Sequence, residues 1–233
     1  MQGLPQRDVR VKIGRDAHGP VVAGDGNVTH VSASTPMPAP DQGPPADLLA
    51  AHRVVVTTDV QRSSSRNNAG QRHMRRAVEG CVLAGAAALG VAADVLEVSD
   101  RGDGLQVVMP EAVRLVDVLD TFVEAVAKAL REHNLVSGDA YRVDLRAAVH
   151  VGHVDRVGGE WSGTPLVHAA RLVDAPGVKD ALGEDGDACL ALVVSAPVKQ
   201  VVDEGYCRVG PAGYRHVGVV VKETSCDGWW RLL

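Results

Sequence analysis

Arg53-Val54-Val55-Val56-Thr57-Thr58-Asp59, RVVVTTD in one-letter code, is the stretch on which the fold of this chain turns. Consecutive β-branched side chains crowd the preceding turn of a helix but pack well on a pleated surface. A run with no polar alternation suits a strand covered on both faces, and such a strand lies in the middle of a sheet flanked by helices. The run closes on an acid, Asp59, at the point where a central strand leaves its sheet.

Downstream, helices and strands follow one another. Ala69 to Gly90 reads as a helix with Gly90 as its stop. Val95 to Val98 and Leu105 to Met109 read as strands around the hairpin Arg101-Gly102-Asp103-Gly104. Val113, Val116, Leu119, Val123, Val126 and Leu130 recur at helical spacing and make one apolar face. Tyr141 to Val154 reads as a long strand, and Gly163 to Val173 and Pro197 to Glu204 as helices. Leu190 to Val194 and Val217 to Val221 complete the strands. This order predicts an α/β (α+β) fold with a ferredoxin-like βαββαβ core and additions at its C-terminal end.

Upstream, Val9, Val11 and Ile13 alternate weakly, and Gly24-Asp25-Gly26-Asn27 leads into Val28, His30 and Val31. That pattern predicts an N-terminal β-hairpin extension within residues 1–35. A hairpin is too small to stand alone, so it is expected to pack on the main domain or on another chain. Prolines at 36, 38, 40, 44 and 45 make 36–48 a linker, and the main domain is expected over 49–233.

Composition narrows the partners. Aromatic residues are only 3% of the 233, so Val, Leu and Ala must fill the core. A net charge of −5 argues against nucleic acid as the main partner. Arg72, Arg75 and Arg76 cluster, which a solvated helix face explains as well as an anion site does. The four cysteines, Cys81, Cys189, Cys207 and Cys226, form no metal-ligand pairs and read as reduced thiols of a cytoplasmic protein. The richest apolar stretch, Ala77 to Ala93, contains Glu79 and is shorter than the roughly 20 residues that cross a bilayer, so no membrane association is expected.

In a β-α-β-β unit the first strand lies beside the hairpin strands, so Asp59 and Asp103 can converge at one edge of the sheet. Two carboxylates in oxygen-only surroundings suit Mg²⁺ or Mn²⁺ and a nucleotide's phosphates. The plainer alternative is that both acids serve turns, as aspartates often do. Asp59→Ala is expected to leave the fold intact, because it relieves an unpaired acidic cluster. His150 and His153, three apart on one strand, face opposite sides and are expected to be structural rather than to share a metal. Trp229 and Trp230 are expected to cover the core or a dimer seam.

Four stretches together carry a resemblance. Val54 to Val60 resembles the metal-binding first strand of class III adenylyl and guanylyl cyclases. Asp100-Arg101-Gly102-Asp103-Gly104 is similar to the hairpin bearing their second metal ligand. Arg146 to Gly152 resembles the strand before their characteristic helix, and Gly163 to Leu172 resembles that helix, which ends in an arginine. The wording Asp-Arg-Gly-Asp-Gly and Val-Lys-Glu-Thr is closest to an actinobacterial cyclase-like group. The resemblance implies conversion of a nucleoside triphosphate to a 3′,5′-cyclic nucleotide and pyrophosphate, in a head-to-tail homodimer with composite sites. It implies that Asp59 and Asp103 hold Mg²⁺ or Mn²⁺ in one subunit. The other subunit would supply Arg171 to the transition state, and Lys222, in the last strand, sits where the family places a lysine on the triphosphate. Val60 and Arg62 would line the phosphates, and Ser99 and Glu160 would read the base.

The chain departs from that pattern at three places. Arg62 stands where the family has a small glycine, Val167 where it has a ribose-orienting asparagine, and Ser99 with Glu160 matches neither the adenine nor the guanine set. His168, next to Val167, should point about 100° away around the helix. These departures support a second expectation: a catalytically inactive cyclase-homology module that binds a nucleotide or a protein partner.

Overall fold

A computed structural model describes residues 21–22, 28–29, 50–63, 66–222 and 224–233. The chain divides into two compact units, Met1–Gly43 and Pro44–Leu233. In the first, β1 (Val21–Val22) pairs antiparallel with β2 (Val28–Thr29). The strand expected around Val9 to Ile13 lies outside the described residues.

The second unit is built on β3 (Ala51–Val60), which carries the RVVVTTD run. Then come α1 (Asn68–Ala88), β4 (Glu97–Asp100) and β5 (Leu105–Val108). The next helix enters through a short turn, α2 (Leu115–Asp117), and a π turn, Val118–Phe122, before α3 (Val123–Val136). Two strands follow, β6 (Leu145–Val157) and β7 (Glu160–Ser162). The chain then runs through α4 (Thr164–Val173), α5 (Pro176–Glu184), β8 (Leu190–Ser195) and α6 (Ala196–Asp203). It ends in the hairpin of β9 (Arg215–Val221) and β10 (Thr224–Leu232).

The sheet order is β4-β5-β3-β6-β8-β10-β9, with β7 folded onto β6. Its first four strands pair antiparallel, each with the next, in the order of a ferredoxin-like βαββαβ unit. β8 extends that core parallel to β6. Alternation along β3 divides the layers. Val54, Val56 and Val60 meet Met74, Val82, Phe122 and Leu130 on the side covered by α1 and α3, whereas Val55 meets Leu166 and Ala169 of α4. Each buried valine removes about 1.5–3 kcal/mol worth of apolar surface from water, so this strand anchors both layers.

Several boundaries differ from the sequence expectation. The strand expected from Tyr141 starts only at Leu145, because Asp139–Tyr141 forms a 3₁₀ turn. The terminal tryptophans lie within β10, with Trp230 buried and Trp229 packed on the core. Among the described residues no helix is long and apolar enough to cross a membrane.

Candidate functional site

The C-terminal end of β3 is closed by the β4–β5 hairpin. The Val60 amide donates to the Asp103 carbonyl at 3.2 Å, and the Leu105 amide donates to Thr58 Oγ1 at 2.9 Å. At Gly104 an added Cβ would lie 1.8 Å from the Thr58 carbonyl oxygen, so only glycine lets the hairpin tip approach the strand this closely. The approach brings Asp103 near enough to Asp59 for its charge to disfavour ionisation there. Ser63 Oγ donates to Asp103 Oδ2 at 2.7 Å and orients that carboxylate.

Asp59 does not stand in oxygen-only surroundings. Its register partner on β6 is Arg146, whose guanidinium pairs directly with Asp59 Oδ2. The two side chains are 17% and 7% exposed, so this is a buried ion pair. Burial pushes the Asp59 pKa up, Arg146 pulls it down, and the charges of Asp103 and Asp174 raise it again; the net direction is upward. The Arg146 Nε–H is buried and makes no hydrogen bond to the protein. Sequence reasoning gave Arg146 no role, although an arginine between Leu145 and Ala147 in an apolar strand is a signal, since a buried charge needs a partner.

Among the described residues no group of three or more His, Cys, Asp or Glu is arranged to hold a metal. Two carboxylates suit a hard cation that takes its remaining oxygens from phosphates and water. The two acids are of the donor class that Mg²⁺ or Mn²⁺ takes, with Arg146 already engaged on Asp59.

The remaining candidates lie as follows. Val60 is buried at the strand end, and Arg62 follows in a turn with φ 57°, a conformation uncommon outside glycine. Ser99 is exposed on the edge strand β4, paired with Gln106. Glu160 is exposed and pairs with Val157, at the far end of β6 from Arg146. The Trp161 Nε1–H donates to Glu97 Oε2 at 2.8 Å and Arg156 pairs with Glu97 at 3.0 Å, which ties β7 to the strand that bears Ser99.

Helix α4 is seated on the sheet by polar as well as apolar contacts. The buried Gln106 amide donates to the Leu166 carbonyl at 2.9 Å and to Thr57 Oγ1 at 3.0 Å. The His168 ring stacks on His150 at 4.4 Å, and His150 Nδ1 lies 2.8 Å from Ser195 Oγ. Burial lowers the His150 pKa to about 4. His153 meets His52 across the β3–β6 pair instead, at 5.1 Å between ring centroids. On α4, His168 turns towards the sheet while Val167 is 45% exposed. Arg171 occupies the last turn, three residues before Asp174, whose charge reaches Asp59.

Lys222 is not in the last strand. It occupies the turn between β9 and β10 with φ 53° and is exposed. Val221 pairs with Thr224, so the chain must reverse at Lys222, and a left-handed residue makes that reversal. The sheet order puts β9 four strands from β3, about 19 Å across at about 4.8 Å per strand. The registers place Asp59 level with Arg146, Ala191 and Leu232, and Lys222 at the opposite end of β9, roughly 30 Å further along. Lys222 therefore cannot touch Asp59 of its own chain.

No family model and no curated protein sequence matches the chain. Solved structures do. An adenylate/guanylate cyclase/hydrolase from Silicibacter pomeroyi superimposes with a TM-score of 0.52 at 17% identity, covering 79% of this chain and 98% of that one. The guanylyl cyclase Cya2 gives 0.51 at 15%, covering 80% and 93%. The guanylate cyclase domain of RhGC from Catenaria anguillulae, solved in complex with GTP, gives 0.50 at 12%, covering 78% and 96%. At these identities the likeness shows a shared fold, that of adenylate/guanylate cyclase domains.

Proposed function

We propose that this chain is a divalent-metal-dependent nucleotidyl cyclase that acts as a head-to-tail dimer in the cytoplasm. The observation that carries the proposal is the hairpin tip locked onto the end of β3, which puts Asp103 within electrostatic reach of Asp59. The fold shared with cyclase domains supports it. Asp59 and Asp103 would hold Mg²⁺ or Mn²⁺, which neutralises phosphate charge and makes the attacking 3′-hydroxyl more acidic. The 3′-oxygen bonds to the α-phosphorus, the bond to pyrophosphate breaks and the hydroxyl proton passes to water.

The protein's own groups divide the remaining work. Arg146 offers a buried guanidinium beside the acidic pair, suited to a phosphate oxygen once a cation shares Asp59. The Val60 backbone and Arg62 line the same end. Lys222 is too distant within one chain, so it would serve the acidic pair of a second copy, as would Arg171 in the dimer. Ser99 and Glu160 would meet the base. The cysteines are free thiols, as suits a reducing compartment.

A second function, nucleotide binding without turnover, draws on Val167, which presents an apolar side chain where a hydrogen-bonding residue is needed, and on Arg146, which already neutralises Asp59. Incubation with ATP, GTP, CTP and UTP in Mn²⁺, followed by chromatography, separates the two. A cyclic product that disappears in Asp103→Ala is expected. Nucleotide binding with no product from a folded, dimeric sample overturns the cyclase proposal in favour of the second.

A further inference from the structure

His150 and His153 stand three apart on β6 and so face opposite sides of the sheet, where each meets a different histidine. His153 lies directly opposite His52 in the β3–β6 register, and their ring centroids are 5.1 Å apart. Both residues are exposed. Among the described residues neither ring takes part in a hydrogen bond or an ion pair. Other imidazoles are committed: His150 to Ser195, His133 to the Tyr141 carbonyl and His216 to Asp227. His52 and His153 keep their ring nitrogens available.

Their separation suits a shared ion. Two imidazoles that bind one tetrahedral Zn²⁺ through nitrogen, each at about 2.0–2.1 Å, hold their ring centroids about 5 Å apart. The rings now stand edge to face at 74°. Exposed side chains change rotamer readily, so convergence on an ion needs no movement of the strands. Asp155, two residues beyond His153, belongs to the same face of β6 and adds a negative charge about 7 Å along the strand. His52 also lines a cleft of about 360 Å³ with Val54, Pro110, Val113, Val151 and Val201, so water or a small ligand can reach an ion bound there.

From the register pairing, the ring spacing and the uncommitted nitrogens together, we infer that His52 and His153 form a transition-metal site that takes Zn²⁺. Imidazole suits Zn²⁺, whereas Mg²⁺ takes oxygen ligands. The chain supplies two ligands, and water or a small molecule in the cleft supplies the others, which makes the site open rather than closed. The bound ion joins β3 to β6 at the end remote from the acids. His52 precedes Asp59 by seven residues, about 23 Å of strand. The site shares no residue with the Asp59–Asp103 pair and does not depend on cyclase activity.

The test is calorimetric titration of the full chain with Zn²⁺ in excess Mg²⁺, which occupies oxygen sites such as the acidic pair. Saturable binding is expected, weakened at least about tenfold by His52→Ala and likewise by His153→Ala, since each removes one of two ligands. The double variant should lose little more than either single one, as a shared ion requires. Asp103→Ala should leave the affinity unchanged, as should His73→Ala, which alters the other exposed histidine contact, that with His133. Zn²⁺ should raise the melting temperature of the parent and not that of the His52 or His153 variants. Both positions are exposed, so the metal-free variants should melt with the parent, and His52→Gln or His153→Gln replaces an alanine variant that does not. No saturable Zn²⁺ binding in excess Mg²⁺ overturns the inference, as does an affinity unmoved by His52→Ala or by His153→Ala. Equal loss in His73→Ala or Asp103→Ala overturns the assignment to this pair.

Discussion

Removing Asp59 should damage the fold as well as any activity. Asp59→Ala leaves the Arg146 guanidinium, 7% exposed, without its carboxylate. Breaking a buried pair from one side costs about 3–5 kcal/mol, because the remaining charge is still out of water. For a folded unit of this size 1 kcal/mol moves Tm by about 2–4 °C, so a drop of about 6–20 °C is expected. The expectation that the substitution merely relieves an acidic cluster is thereby corrected. Arg146→Met keeps much of the stem and leaves Asp59 behind, but a carboxyl can take up a proton where a guanidinium cannot lose one. Burial, Asp103 and Asp174 already raise the Asp59 pKa, and loss of Arg146 raises it further. A carboxyl whose folded pKa lies above its unfolded value loses stability as pH rises through the folded pKa. The Arg146→Met deficit should therefore shrink on acidification below neutrality, and that of Asp59→Ala should not. The double variant should recover most of the loss, giving a coupling of at least about 2 kcal/mol. Urea and thermal unfolding followed by circular dichroism at two pH values measure all four chains. Asp59→Ala melting within about 2 °C of the parent, or a double variant no better than Asp59→Ala, refutes the buried pair.

Gly104→Ala should separate hairpin closure from the acids themselves. The new Cβ lies 1.8 Å from a backbone oxygen that cannot rotate away, so the tip must move, Asp103 withdraws, and cyclic product should fall at least about tenfold with both carboxylates intact; unchanged product refutes the closure. Stability should also depend on pH through His150. An unfolded histidine titrates near 6.5, while folded His150 resists protonation until about 4, so the unfolded chain takes up the proton first and stability falls as pH falls between those values. His168, also lowered by burial, acts in the same direction. His150→Gln should flatten the slope in urea titrations from pH 7.5 to 4.5, and an unaltered slope counts against the buried neutral imidazole.

The parts of the fold legible in the sequence were those whose local pattern and tertiary environment agree. The β-branched run at 53–59 became a strand buried on both faces, and the apolar spacing up to Leu130 became the helix packed beneath it from Leu115 onward, with Val113 before its start and a π turn within it. Helix α5 escaped notice because only Val178 and Leu182 are buried in it, too few to establish a period. In β10, Asp227 and Gly228 break the strand pattern, and pairing to both β8 and β9 overrides their propensity. The nearness of Asp59 to Asp103 was legible because a strand end and a hairpin tip are marked locally. Arg146 was not, because its meaning depends on which residue of β3 lies opposite it.

That dependence shows how narrowly the site is specified. Along a strand, side chains alternate between faces, so a one-residue slip of β6 against β3 would exchange the two faces of the strand. Arg146, Ala148 and His150 would then face α1 and α3, and Leu145, Ala147 and Val149 would leave the core they now fill. The apolar residues of β6 thus fix the register, and the register delivers Arg146 to Asp59, so the acid–guanidinium pair follows from core packing more than from its own attraction. Sheet order acts in the same way on Lys222: nothing in its turn holds it away from Asp59, but three intervening strands do. A site that needs both residues is one that two copies build, with each chain's core holding its share in place.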